Sequence, residues 1–533
     1  MLCTCQCAQR ATILVAQRAK AASWSPTVAK AARLRIGGPT SECREPIFEH
    51  DQAPQRFGKM KYLWGNMSSI DVLQLGNNEG LNHRNDMNIL FPASGDFRNV
   101  VKTVASLPQS YAKPLFIVIN DMDTDVVTRN VIMLLLVLTI SDEQEAAETV
   151  IHVWYSALIR HADMKHVEVL RPLIQNVCDK IADRKSRSLQ TKTFSFASCS
   201  VRVTLTKETW TILLASLYVP PDLSMKLADN IRLKITNPPQ RKDYHHREYI
   251  FQPPEHRICK ERFHEDGILV PFGFSRAEFT IPNPTFYQDM EWPMMDGAEP
   301  LSGWDFGEVM STKAGTAVND LYGKLFVHVR STLLSFKHRL SSAGVRFELY
   351  NLNALELPQT LAPTTFARIE TSNICDVGYV GPAQTVQLFG PLLQKPSENP
   401  HATLVTPFMN AIGKMGNIDP DASNAELAGV MRYKTMQDML SVDPKYNYWI
   451  TMAVMPLGIN LERIFAEYAK VYGLHDLIRT AGMKMKDRHT VVEKWPTRLK
   501  LEPGQPGAEA EIITALASPH SHMERYVEWA RTK

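Results

Sequence analysis

The residues best placed for chemistry are Ser94, Gly95, Asp96 and Asp121. A glycine in the turn after a first strand lets the backbone approach a nucleotide-like ligand. A carboxylate after the second strand, about 20 residues further on, takes ribose hydroxyls. Gly95 and Asp121 stand at such places. The same residues have a plainer use: Ser94-Gly95-Asp96 as a strand-to-helix turn, and Asp121 and Asp123 as caps of the next helix. The turn has one glycine where a G-x-G-x-x-G pattern has three, and Pro92 and Ser94 occupy places where glycine would allow the closest approach. Both readings stand on sequence alone.

A second cluster is His245, His246, His256, Cys259 and His264. His256-x-x-Cys259 has a spacing that a metal could use. Arg247, Arg257, Lys260 and Arg262 are interleaved with it and disfavour a cation, so hydrogen-bonded loop histidines are the expectation. Trp292, Pro293, Trp304 and Phe306 read as anchors of a long loop rather than a stacking platform, since no basic groove accompanies them. No nucleophile elbow, P-loop or H-E-x-x-H pattern occurs, and no residue is assigned as catalytic.

The elements that must position these groups follow from the hydrophobic pattern. Met87 to Ala93 is a short apolar run that predicts a buried strand. Phe97, Val100, Val101, Val104 and Leu107 recur at helical spacing until Pro108. Pro114 to Ile119 predicts a second strand, and Val126 to Ile140 a helix buried all round. Strand, helix, strand, helix implies a parallel sheet. Strand patterns return at 345–350, 366–372 and 402–408. Between them, 142–183, 207–218 and 319–340 are helical in pattern, and 237–306 predicts long ordered loops.

The economical organisation has five parts. Residues 1–59 form a basic, cysteine-containing segment, and 60–140 the first half of an α/β domain. A mainly helical insertion covers 141–344, the second half of the domain 345–415, and a helix-rich region 416–533. The 533 residues, 44% hydrophobic and 22% charged, suit an ordinary globular chain. A net charge of +3 gives no argument for nucleic acid or membrane as partner. The longest apolar run, Val131 to Ile140, is about half a membrane span. The first 41 residues have no Asp or Glu but carry six basic residues, a bias shared with mitochondrial transit segments. Cytoplasm is the expected compartment, with nucleus and mitochondrion as alternatives.

Tyr62-Leu63-Trp64-Gly65-Asn66, Asn78-Glu79-Gly80, Ala93 to Thr103 and Ile119-Asn120-Asp121 resemble a fungal family of domains of unknown function that often follows a MYND zinc finger. So do Asp266 to Gly273, Pro282 to Thr285 and Asn319 to Leu325. The family is similar in turn to the methyltransferase-like N-terminal domain of dynein axonemal assembly factors. The resemblance implies a Rossmann- or methyltransferase-like sheet and S-adenosylmethionine as the cofactor to test. Ser94, Gly95 and Asp96 would then hold it by their backbone, Asp121 by its hydroxyls, and Asn353 and Ser372 would form the far wall. Asn353 stands where an acidic residue is usual. A MYND finger needs seven Cys and one His, whereas Cys3, Cys5 and Cys7 are one residue apart and no His precedes His50, so zinc is not expected. The leading expectation is a protein-interaction or assembly protein with protein partners on an eroded fold. The alternative is an S-adenosylmethionine-dependent methyltransferase acting on a protein or small metabolite.

Overall fold

The structure, a computed structural model, describes residues 57–242, 244–245, 249–415, 428–440 and 454–533. Cys3, Cys5, Cys7, Cys43, His246 and the basic N-terminal positions lie outside them, and with them the zinc-finger and transit readings.

Eleven strands occur among the described residues: β1 (Met87–Phe91), β2 (Leu115–Asn120), β3 (Leu158–Arg160), β4 (Leu189–Ser195), β5 (Cys199–Thr206), β6 (Phe279–Pro282), β7 (Val345–Tyr350), β8 (Arg368–Glu370), β9 (Thr403–Phe408), β10 (Met483–Met485) and β11 (Arg525–Arg531). Nine form one sheet in the order β10-β11-β9-β8-β1-β2-β7-β5-β4, while β3 pairs with β6. From β9 to β5 all neighbours are parallel; β10, β11 and β4 pair antiparallel.

The apolar runs form strands because both of their faces are covered. Met87, Ile89, Phe91, Leu115, Ile117 and Ile119 enter one core, and Leu90, Phe116 and Val118 enter another. Alternate residues point to opposite sides of a strand, so the two cores sit on opposite faces of the sheet. On the first face lie α1 (Arg98–Ala105), α2 (Thr124–Thr139), α3 (Glu143–Tyr155) and α8 (Leu321–Ser342), with α4 (His161–Lys180), α5 (Lys207–Ala215), α6 (Met225–Thr236) and α7 (Pro254–Asp266) joining the same core. The second face carries α9 (Pro382–Phe389) and α10 (Leu461–Val471). Helix α2 is buried on almost every side, and Asp123 caps it by accepting from the N–H groups of Asp125 and Val126.

All five expected strands share this sheet, across the intervening helices of 141–344. Three features differ from expectation. Segment 141–344 is helix-rich but also supplies β4 and β5, which extend the sheet beyond β7. The C-terminal region adds β10 and β11 to the opposite edge. Within 237–306, expected as loops, α7 runs for 13 residues. Proline at its first position and Gly267 at φ 66° just past its end are ordinary helix boundaries, obscured by the His- and Arg-rich composition between them.

Strand β8 is short because its ends are tied elsewhere. Ser372 has φ 50°, which turns the chain out of the extended conformation. Arg368 is fully buried, and its two Nη atoms donate to Glu79 Oε1 and Oε2 at 2.9 and 2.7 Å, a bidentate pair that fixes the segment before β1 to the sheet. Asp163, at the start of α4, accepts from Arg160 Nη2 at 2.8 Å and lies 3.0 Å from His152 Nδ1. Burial pushes its carboxyl up, but the His152 ring and the Arg160 guanidinium outweigh that and hold it at about 2.

Two stability measurements follow. Glu79→Ala strands a buried cation, so denaturant unfolding should show a loss of about 3–5 kcal/mol, largely recovered by Glu79→Leu with Arg368→Met. An unchanged midpoint for Glu79→Ala would mean the pair contributes nothing. The depressed carboxyl of Asp163 gives stability that is present above the unfolded value of about 3.9 and lost as pH falls toward 2. Asp163→Asn should therefore cost about 2 kcal/mol at pH 7 and flatten the stability curve between pH 4 and 2; an unaltered acid limb would refute the assignment.

Candidate functional site

The parallel strands β1, β2, β7, β8 and β9 lie in the order β7-β2-β1-β8-β9, so the connections leave β1 in opposite directions. This is a topological switch point, and ligands of open α/β sheets bind outside the carboxyl ends of the strands there. At that end stand the turn after β1, with Ser94, Gly95 and Asp96, and the turn after β8, with Thr371 and Ser372.

Gly95 and Asp121 are brought together, but they bind each other. Asp121 Oδ2 accepts from Gly95 N at 2.9 Å, and Oδ1 accepts from Asp123 N at 2.9 Å. Burial pushes the Asp121 carboxyl up, opposed by these N–H bonds. Gly95 has φ 56°, a conformation that favours glycine, and a side chain there would meet only Arg98 Nη1 at 4.0 Å. Conformation rather than crowding requires this glycine. Ser94 N donates to Asn120 O at 2.8 Å, and the Ser94 hydroxyl to Gly95 O at 2.9 Å.

Asp96 turns inward. Its Oδ2 accepts from Gly65 N at 2.8 Å, and its Oδ1 pairs with the buried guanidinium of Arg98, whose Nε donates to Met67 O at 2.9 Å. A Cβ at Gly65 would stand 2.3 Å from the Arg98 guanidinium, which would have to leave its bonds to Asp96 and Met67 O to admit one. Asn353 is exposed and accepts from Leu355 N at 3.0 Å within its own turn. Ser372 lies beyond β8, on the far side of β1 from Asn353, and its N–H donates to Glu370 Oε1 at 2.8 Å.

Three asparagines and one glutamate at this end had no role assigned from sequence. Asn120 Nδ2 donates to Pro92 O at 2.8 Å and Leu352 O at 3.0 Å, while its Oδ1 accepts from Leu352 N at 3.0 Å. Asn351 Nδ2 donates to the carbonyls of Asp121 and Met122 at 3.0 and 3.1 Å. Asn130 Nδ2 donates to Gly95 O at 2.8 Å. Glu370, buried at the end of β8, accepts from Asn99 Nδ2 at 3.3 Å, and burial pushes its carboxyl up. One signal was available: Asn120 is a polar residue closing an otherwise apolar strand, Leu115 to Asn120, and a buried amide there needs partners.

The histidine cluster assembles only in part, and as packing rather than as a ligand set. His245 Nε2 lies 3.4 Å from Asp296 Oδ2, and its ring packs edge-on against His264. His256 and Cys259 lie on α7; burial pushes the imidazole of His256 down to about 4, with Lys324 adding, and the thiol of Cys259 up to about 11. Among the described residues no three His, Cys, Asp or Glu side chains group as a metal site. The aromatic anchors are buried as expected: Trp304 Nε1 donates to Tyr155 OH at 2.9 Å, fixing its loop to α3.

The class defined at this point is a mixed α/β protein on a mostly parallel nine-stranded sheet. Residues 63–159 match a family model described as a domain of unknown function (DUF4470). That match covers β1, β2, most of β3 and the Gly65, Asp96, Arg98 and Asp121 contacts. No curated protein and no solved structure matches the chain.

If Asp121 serves to close the two turns, its loss must be felt without any ligand. Asp121→Ala should lower stability by about 1–3 kcal/mol in urea unfolding, and Asp121→Asn by less, because an amide oxygen keeps one acceptor. Wild-type stability for Asp121→Ala would remove it from the structural role.

Proposed function

We propose that this chain is a protein-interaction or assembly protein without cofactor chemistry, built on a methyltransferase-like α/β core. The order β7-β2-β1-β8-β9 corresponds to 3-2-1-4-5 of doubly wound nucleotide-binding sheets, which supports descent from such a core. The observation that carries the reading is the bond from Gly95 N to Asp121. That bond takes the Gly95 N–H and one lone pair of the Asp121 carboxylate, groups a nucleoside cofactor would use, and so counts against S-adenosylmethionine. The resemblance to families linked with MYND fingers and with dynein assembly points the same way.

The loops at this end offer apolar side chains instead. Met122 is 73% exposed and Leu355 39%, on neighbouring loops joined by the Asn351 amide. Exposed apolar groups held on a rigid frame suit a protein partner.

Calorimetric titration with S-adenosylmethionine and S-adenosylhomocysteine separates the readings. No heat of binding is expected up to roughly 1 mM, and a micromolar constant would restore the methyltransferase alternative. Met122→Glu with Leu355→Glu should leave stability within about 0.5 kcal/mol and abolish association with any partner that co-purifies with the native protein. Retention of that partner would overturn this face as the contact.

A further inference from the structure

Strand β4 is the last strand of the nine-stranded sheet and pairs only with β5, in an unbroken register from Leu189↔Thr206 to Ser195↔Ser200. The bonds at the two ends of this ladder fix which residues turn their backbone toward β5. Phe196 N donates to Cys199 O at 2.8 Å, and Lys207 N to Ser188 O at 3.0 Å. Antiparallel ladders alternate, so the even-numbered residues between them face β5, while Leu189, Thr191, Thr193 and Ser195 turn their N–H and C=O groups outward. All four residues are exposed. Among the described residues no other strand, loop or side chain bonds to those outward groups.

A free row of backbone donors and acceptors is a template for another strand. The opposite edge of the sheet is blunted by length, since β10 has 3 residues. Strand β4 has 7, with no proline and no bulge. Its one guard is Lys192 at mid-strand, whose Nζ lies 5.9 Å from the centre of the Phe194 ring on the face of the first core. The surroundings are basic as well: residues 180–207 carry seven Lys or Arg and one Asp. Arg184, Lys185, Arg187, Lys192 and Arg202 make no ion pair among the described residues. Self-pairing works against these charges. Two copies of β4 aligned antiparallel over their whole length set Leu189 against Ser195 and Lys192 against its own copy, and like charges directly opposite each other are destabilising. A strand that carries carboxylates meets the same cations favourably.

We propose that the free edge of β4 binds an extended acidic segment of a protein partner, added to the sheet as a tenth strand. The segment's backbone bonds to Leu189, Thr191, Thr193 and Ser195, and its carboxylates pair with Lys192 and the cations that flank the strand. The inference goes beyond the contact face proposed above. No residue of β4 lies in the loops of Met122 and Leu355, so either surface can fail its test without the other.

The test uses the full chain and fluorescence anisotropy. The probes are a fluorescein-labelled heptapeptide alternating valine and glutamate, its lysine counterpart, and the glutamate peptide N-methylated either on its valines or on its glutamates. The glutamate peptide should bind with a constant on the order of 100 µM that weakens as NaCl is raised, and the lysine peptide at least about tenfold more weakly. One N-methylated form should bind like its parent and the other at least about tenfold more weakly, because only every second N–H of an added strand faces β4. Thr193→Pro removes an outward N–H and leaves the ladder to β5 whole, so the protein should stay folded by circular dichroism and lose at least about tenfold in affinity. Lys192→Glu should remove the preference for glutamate over lysine. No binding of the glutamate peptide up to about 1 mM, equal binding of the lysine peptide, equal behaviour of the two N-methylated forms, or unchanged affinity in Thr193→Pro overturns the proposal. So does a dimer in sedimentation that Thr193→Pro dissolves, which assigns the edge to a second copy of the chain.

Discussion

Buried backbone N–H and C=O groups must be hydrogen-bonded, and at the carboxyl ends of β1, β2 and β7 side chains of this chain meet that need. In a cofactor-binding sheet the turn after the first strand keeps N–H groups free for the ligand. Here the Gly95 N–H is closed by Asp121, the Pro92 and Leu352 carbonyls by Asn120, and the Asp121 and Met122 carbonyls by Asn351. Each bond is worth only about 1 kcal/mol net, but leaving a buried group unmade costs about 1–3 kcal/mol. The loops are therefore held as a set, and opening one exposes groups of the next.

The same constraint explains the segment before β1. Gly65 passes close over the buried Arg98 guanidinium, which a Cβ would displace, and its N–H then reaches Asp96. Trp64 Nε1 donates to Trp154 O at 2.7 Å, so the entry of the chain is pinned to α3 as well as to the turn after β1. Further along, Glu79 reaches Arg368 on β8. Residues 63–79 thus bind the first strand, its turn and a strand 289 positions later in sequence from Glu79. This is a physical reason for the family-matching segment to begin ahead of the sheet rather than at β1.

The central strands were legible because burial on both faces favours near-continuous apolar runs, as in Leu115 to Ile119. The edges were not. Strand β4 alternates exposed and half-buried residues, with Thr191, Lys192 and Thr193 in its middle, and a half-exposed edge strand looks like a polar loop. At the candidate site the positions of Gly95 and Asp121 were readable from spacing. That one carboxylate would accept from the other turn's N–H was not, since spacing along the chain does not say whether a ligand or a neighbouring loop fills the gap. Asp96 shows the same limit: beside a glycine turn it reads as the capping Asp of the next helix, yet the N-cap falls to Phe97, which makes no side-chain cap, and Asp96 turns inward to Arg98 and Gly65 N.

Arginine supplies the other recurrent device. Arg129 donates through Nη2 to the carbonyls of Val153 and Trp154 at the end of α3, and Arg232 does the same for α7. A cation at a helix C-terminus is favoured by the helix dipole, so neither needs a carboxylate to be held. Both leave Nε without an acceptor. The surroundings then separate them. The guanidinium of Arg129 lies 4.2 Å from the centre of the Phe286 ring, and burial pushes its pKa down to about 9. Its unsatisfied edge is sealed by packing and is a fixed cost of the fold. The Nε of Arg232 is equally enclosed, but by backbone: a Cβ at Gly267 would stand 2.8 Å from it and 2.9 Å from Ala157 Cβ, so the glycine lets the chain pack directly against the guanidinium. One capping device thus closes the fold at both helix ends, with an aromatic face covering the guanidinium at α3 and a glycine making room for it at α7.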